Sequence, residues 1–172
     1  MTTETRLFAY GTLKQGSPVH AQLCRGVLAV VPARLWGRLF ELPAGYPALS
    51  LPGDRLIASA TFSPVDDHHC LHAARVHLPD AGRRAGLRPV LGQLITLADF
   101  CTAWPPLDAW EEVHPDRPGL YRRVLVRVEL DGGAATTAWT YSVPVLPTGS
   151  RELVTGEWAV PDAISLFPDV HS

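Results

Sequence analysis

The sequence predicts a single α+β domain spanning residues 1–172. Three observations carry this prediction: apolar runs of strand length recur from residue 7 onward, two short stretches between them have helical character, and a glycine turn near residue 132 joins two strand-like segments. A chain of 172 residues, 47% of them hydrophobic, is large enough to bury one core without disulfides or metal.

Leu7-Phe8-Ala9-Tyr10 has the aromatic and aliphatic content of a buried strand, and it breaks at Gly11 into Thr12-Leu13-Lys14-Gln15-Gly16. Ser17 then caps a short helix through Cys24, with Pro18 at its first position, where a missing N–H costs nothing. Residues 27–31 form a second strand-like run and residues 35–42 a third, whose alternation puts Trp36, Arg38 and Phe40 on one face. Pro43-Ala44-Gly45-Tyr46-Pro47-Ala48-Leu49 holds two prolines and a glycine, so it is expected to be irregular and to form a rim.

From about residue 50 to residue 89 the pattern weakens. Residues 55–62 suit a strand, but Asp66-Asp67-His68-His69-Cys70-Leu71-His72 and residues 80–86 have the polarity of surface loop. The region reads as an insertion and as the most mobile part of the chain. Residues 90–97 restore a strand by composition and length. Phe100, Trp104, Leu107 and Glu111 recur at helical spacing, with Pro105-Pro106 expected to kink or restart the helix. Residues 121–130 and 136–143 flank Asp131-Gly132-Gly133 as a hairpin, and a capping arrangement near residues 148–153 precedes an irregular tail.

Bulk properties exclude several function classes. A net charge of −2 with a single lysine, Lys14, gives no basic face for nucleic acid. No window is apolar for the roughly 18 residues that a membrane span needs, and the polar N-terminus has no leader-like apolar stretch, so the cytoplasm is the expected location. Cys24, Cys70 and Cys101 are irregularly spaced and read as reduced thiols. No nucleotide-binding glycine motif and no G-x-S-x-G elbow are present, so no cofactor and no serine nucleophile are expected. His68, His72 and Cys70, with His77 nearby, are metal-ligating types, but without a paired zinc motif no metal is assigned.

Three groups could carry chemistry. The turn Tyr10-Gly11-Thr12-Leu13 either simply reverses the chain or offers exposed amides to a carboxylate. Glu111 shares a helical face with Leu107 and Trp104, so its carboxyl either lies against apolar surface, with its pKa raised, or is solvated with Glu112. Tyr121 shares a strand face with Arg123, near Tyr141 across the hairpin, and either orients a substrate or packs in the core.

The ordered combination resembles the γ-glutamylcyclotransferase-like, or AIG2-like, superfamily. The residues that carry it are Phe8-Ala9-Tyr10-Gly11-Thr12-Leu13-Lys14-Gln15-Gly16 with His20, Leu39-Phe40-Glu41-Leu42 running into the 43–49 segment, Val90-Leu91-Gly92-Gln93-Leu94, Leu107-Asp108-Ala109-Trp110-Glu111, and Tyr121-Arg122-Arg123 followed by Ala138-Trp139-Thr140-Tyr141. The match covers roughly residues 6–49 and 90–143. The resemblance implies a small mixed β-barrel with flanking helices and a cavity at one end. It implies a substrate-binding loop at Tyr10, Gly11, Thr12 and Leu13, an acid/base glutamate at Glu111, and a cavity tyrosine at Tyr121. The implied reaction releases 5-oxoproline and a free amine from a small γ-glutamyl compound. Two departures stand out: the excursion over residues 50–89 is longer than in compact members, and Pro105-Pro106 interrupts the helix that leads to Glu111, with Glu112 as its fallback. A non-catalytic module that binds a small ligand or a protein on the same fold is the competing expectation. The leaving amine and the oligomeric state are not legible in the sequence.

Overall fold

The computed structural model describes residues 3–74 and 84–160. His77 and the tail beyond residue 160 lie outside them, as does most of the loop expected at 80–86.

The first strand, β1 (Thr5–Ala9), leads into helix α1 (Pro18–Leu23). The Ser17 side chain accepts a hydrogen bond from the Val19 amide at 3.2 Å, and Pro18 occupies the first turn as expected. The two runs expected at 27–31 and 35–42 are one strand, β2 (Val27–Glu41). Pro32 does not break it, because, among the described residues, positions 27–32 pair only with β5 (Arg88–Leu97) and not on their other edge. The segment expected to be irregular contributes β3 (Pro47–Ser50), which pairs back onto β2. Of the strand suggested at 55–62, Ala58–Ser59 alone is extended, as β4, after a 3-10 turn at Gly53–Arg55.

The sharpest departure is α2 (Pro64–Ala73), a helix where surface loop was expected. Ser63 caps it, Pro64 opens it, and Asp66 and Asp67 stand in its first turn, facing the positive end of the helix dipole. Leu71 is fully buried, and the Leu71 carbonyl accepts a hydrogen bond from the Thr137 hydroxyl at 3.0 Å. The His68 ring stacks on Phe100 at 4.2 Å. The described part of the excursion is therefore packed onto the core rather than loose on its surface.

Phe100 opens α3 (Phe100–Trp110), which runs through Pro105 and Pro106 without a break. A proline cannot donate to the carbonyl four residues earlier, so Cys101 and Thr102 lose their partners. Both residues are exposed, and water can satisfy their carbonyls. The expected hairpin forms from β6 (Arg122–Leu130) and β7 (Ala135–Ser142), with Gly132 and Gly133 at φ 95° and 90°. A last short strand, β8 (Arg151–Glu152), lies where a cap was suggested.

Five strands close a barrel in the order β2-β5-β1-β7-β6, with β6 returning to β2 at Ala33↔Leu130. Its β1–β7 pair is parallel and the rest are antiparallel. The mixed barrel with flanking helices agrees with the expected fold. Alternation divides the core: Phe8, Tyr10, Leu94, Val124, Val126 and Ala138 form one cluster, while Leu7, Ala9, Ile95 and Trp139 meet Leu71, Trp104 and Leu107 of the helices. Gly92 permits the β1–β5 crossing, since a Cβ there would lie 2.4 Å from the Ala9 carbonyl oxygen.

Candidate active site

At one end of the barrel, β1 terminates in the turn of residues 10–13, and this turn forms one wall of a cavity of about 300 Å³. The Tyr10 ring is buried; its hydroxyl donates to the Tyr141 carbonyl at 2.8 Å and accepts from the Leu49 amide at 3.3 Å. It thereby clamps the end of β1 to β7 and β3. Gly11 is required for space rather than for a left-handed backbone, because a Cβ would meet Cγ of Pro47 at 2.5 Å. The turn closes through the Lys14 amide to the Gly11 carbonyl at 3.1 Å, and His20 Nδ1 holds the Leu13 carbonyl at 2.9 Å. Among the described residues, the amides of Gly11, Thr12 and Leu13 have no acceptor.

The facing wall is the C-terminal end of α3. Glu111 follows the last helical residue, and its amide still bonds the Leu107 carbonyl at 3.1 Å. The helix then stops in a Schellman arrangement: the Val113 amide reaches the Asp108 carbonyl at 2.8 Å and the Glu112 amide reaches that of Ala109 at 3.3 Å. Glu112 takes the left-handed position of this motif, at φ 53°, where glycine is usual. Pro105 and Pro106 leave this geometry intact. Glu111 and Glu112 both line the cavity, together with Tyr121 and Tyr141.

Burial, and secondly the charge of Asp108 one helical turn away, push the Glu111 carboxyl up to about 8. The surrounding phenols are also held neutral. Burial raises Tyr121 above the usual range, and so does the neighbouring Glu111; its hydroxyl donates to the Pro47 carbonyl at 2.8 Å. Tyr10 and Tyr141 are raised by burial as well.

Behind Glu111 lies a buried ion group that the sequence did not reveal. Asp108 Oδ1 accepts from Arg123 Nε at 3.0 Å and from the Tyr141 hydroxyl at 2.7 Å. Arg123 Nη2 donates to Asp67 Oδ2 of α2 at 3.0 Å, and the guanidinium lies over the Trp104 ring at 4.4 Å. Asp67 Oδ1 accepts from the Thr61 amide and hydroxyl at 2.7 and 2.8 Å. Burial raises the Asp108 carboxyl despite the opposing pull of Arg123 and of the Tyr141 hydrogen bond. The position of Asp108 three residues before Glu111 was a signal available in the sequence. Asp67 offered none, because nothing in the chain links it to the hairpin before folding.

The residues expected at the site are thus together: Tyr10, Gly11, Thr12, Leu13, Glu111 and Tyr121 all border one cavity. Among the described residues, no group of three or more His, Cys, Asp or Glu side chains converges as metal ligands would. No helix among them is long and apolar enough to cross a membrane.

Comparison with known proteins gives a matching family model, described as gamma-glutamyl cyclotransferase, AIG2-like, over residues 7–68 and 55–160. No curated protein matches the chain. Among solved structures, YkqA from Bacillus subtilis is similar with a TM-score of 0.51 at 20% identity, over 90% of this chain and 39% of that one. This chain therefore spans well under half of that relative's length. An AIG2-like protein from Mus musculus aligns with a TM-score of 0.50 at 16% identity, over 84% of this chain and 80% of that one. At such identities the likeness is one of fold.

Proposed function

The chain belongs to the γ-glutamyl cyclotransferase, AIG2-like family, and from that premise we propose that it cyclises a small γ-glutamyl compound, releasing 5-oxoproline and a free amine. The observation that supports this reading is the cavity that Glu111, with its raised proton affinity, shares with the unpaired amides of residues 11–13.

In the proposed reaction the substrate's α-carboxylate accepts hydrogen bonds from the turn amides, which fixes the γ-glutamyl group in a folded pose. Glu111 takes a proton from the α-amine. The amine nitrogen then forms a bond to the γ-carbonyl carbon, closing a five-membered ring, and the bond from that carbon to the leaving nitrogen breaks. The same carboxyl returns the proton to the departing amine. A carboxyl that ionises near 8 suits both transfers, because it binds the proton about as tightly as an amine does. The nucleophile belongs to the substrate, so the protein's part is positioning and proton transfer. Tyr121, bonded to Pro47 across the cavity, supports the substrate from the hairpin side.

The test is direct measurement of 5-oxoproline from a panel of γ-glutamyl amino acids, peptides and amines. The parent protein releases it from at least one member, and Glu111→Gln lowers release at least a thousandfold while keeping the parent's circular dichroism spectrum. Turnover retained in that variant would remove Glu111 from the mechanism.

A further inference from the structure

Helix α2 and the proline pair of α3 are connected through one buried side chain, Arg123. Pro105 and Pro106 have no amide to donate, so α3 lacks two consecutive bonds of its ladder at mid-length, those to the Cys101 and Thr102 carbonyls. The turn that follows carries Asp108 and delivers Glu111 to the cavity. It therefore depends more on outside anchors than the end of an unbroken helix does.

Beyond the packing of Leu107, the anchor of that turn is the Asp108 carboxylate, held by the Tyr141 hydroxyl at 2.7 Å and by Arg123 Nε at 3.0 Å. Arg123 itself is sealed among the rings of Trp104, Trp139 and Phe62, at 4.4, 5.1 and 6.0 Å, and its Nη1 has no acceptor. The acid that fixes the far end of the guanidinium is the fully buried Asp67, whose Oδ2 accepts from Nη2 at 3.0 Å. Asp67 uses both oxygens, since Oδ1 holds the Thr61 amide and hydroxyl. A continuous path thus runs from α2 through Asp67 and Arg123 to Asp108. Without Asp67, both terminal nitrogens of Arg123 would lack an acceptor inside an apolar cage, a cost that displaces the guanidinium and slackens its hold on Asp108.

Resting on the cyclotransferase reading for its catalytic consequence, we infer that Asp67 is a positioning residue: through Arg123 and Asp108 it holds the last turn of α3, and so Glu111, in place against the turn of residues 10–13, and it makes up for the two bonds lost at Pro105 and Pro106. Asp67 does not line the cavity and acts without touching substrate.

The test is Asp67→Asn, because an asparagine offers one oxygen where two are used. Its readouts are kcat and KM for 5-oxoproline release, and hydrogen exchange at the Glu111 and Val113 amides, which bond the Leu107 and Asp108 carbonyls. The variant lowers kcat about tenfold, leaves KM within about twofold and speeds exchange at those two amides several-fold. Adding Pro105→Ala and Pro106→Ala returns kcat to within about threefold of the parent, while the two alanines alone leave kcat near the parent value. A general loss of packing would raise KM as well and speed exchange throughout the barrel, and that result overturns the inference. So do parent-like kcat and exchange in Asp67→Asn, or a defect that the alanines do not relieve. Thr61→Val, which loosens Asp67 but keeps its charge, gives a smaller fall in kcat of the same kind and decides the matter if Asp67→Asn does not fold. Absence of 5-oxoproline from the parent across the panel overturns the cyclotransferase reading, and exchange at Glu111 and Val113 then tests the hold of Asp67 on α3 by itself.

Discussion

Replacing Glu111 by Gln has a consequence for stability that is separate from any reaction. The carboxyl ionises near 8 in the folded protein, against 4.5 for an ordinary glutamate. A group with a raised folded pKa stabilises the fold fully below its unfolded value, and that contribution is lost as pH rises through the folded value. Between pH 4.5 and pH 7 the unfolded chain sheds this proton while the folded one keeps it. At about 1.36 kcal/mol per pH unit, the parent loses about 3 kcal/mol over that interval. Glutamine is similar in shape and does not titrate, so the variant escapes the loss. Urea denaturation at half-unit steps from pH 4.5 to 8.5 reads the difference. The variant's advantage over the parent grows by about 3 kcal/mol up to pH 7, equivalent to a midpoint higher by about 1–2 M at a typical urea slope, and levels off above pH 8. A constant offset between the two proteins at every pH would show that Glu111 is not held protonated by its surroundings, and the proton-transfer argument built on it would fall.

Other expectations concern the same end of the molecule. In 5-oxoproline assays the acid limb of kcat/KM should titrate near 8, and Asp108→Asn should move it to lower pH, because the neighbouring Asp108 charge contributes to holding Glu111 protonated. Arg123→Met strands Asp67 and Asp108 without their cation and should cost about 3–5 kcal/mol, measured by chemical denaturation at pH 7. Gly11→Ala drives a methyl group into Pro47 and should cost about 1–3 kcal/mol while displacing the turn, so that KM rises in the same assay. Glu112→Gly relieves a left-handed backbone and should raise stability by about 1 kcal/mol in thermal or urea unfolding.

Much of the fold was legible because it obeys local rules. The strand at residue 7, the Ser17 cap and the glycine hairpin announce themselves through composition and turn chemistry. The two halves of the site were also visible, one as a glycine turn after a strand and the other as an acid on an apolar helical face. Helix α2 escaped because its inward face includes Asp67 and His68, so no apolar stripe marks it. Its partner for Asp67 is an arginine 56 positions away, a pairing that local pattern does not encode. Pro105 and Pro106 misled because a proline breaks a helix only where the missing amide had a partner to serve, and the exposed carbonyls of Cys101 and Thr102 remove that demand. The constraint on Gly11 is the approach of Pro47, which depends on a segment 36 positions later and is not legible locally.

The parallel pairing of β1 with β7 sets a timetable for the molecule. Leu7 lies beside Trp139, and the antiparallel neighbour on its other side, Ile95, is also far along the chain. During synthesis β1 therefore waits for β5 before one edge is covered and for β7 before the other, and closing such long loops makes the barrel slow to assemble. Until then Leu7-Phe8-Ala9-Tyr10 is an unpaired apolar edge in a growing chain, the kind of segment that aggregates or needs a chaperone. The turn of residues 10–13 hangs from that strand and is held by the Tyr141 and Leu49 backbone. The amides at the cavity are thus among the last parts of the protein to reach their positions.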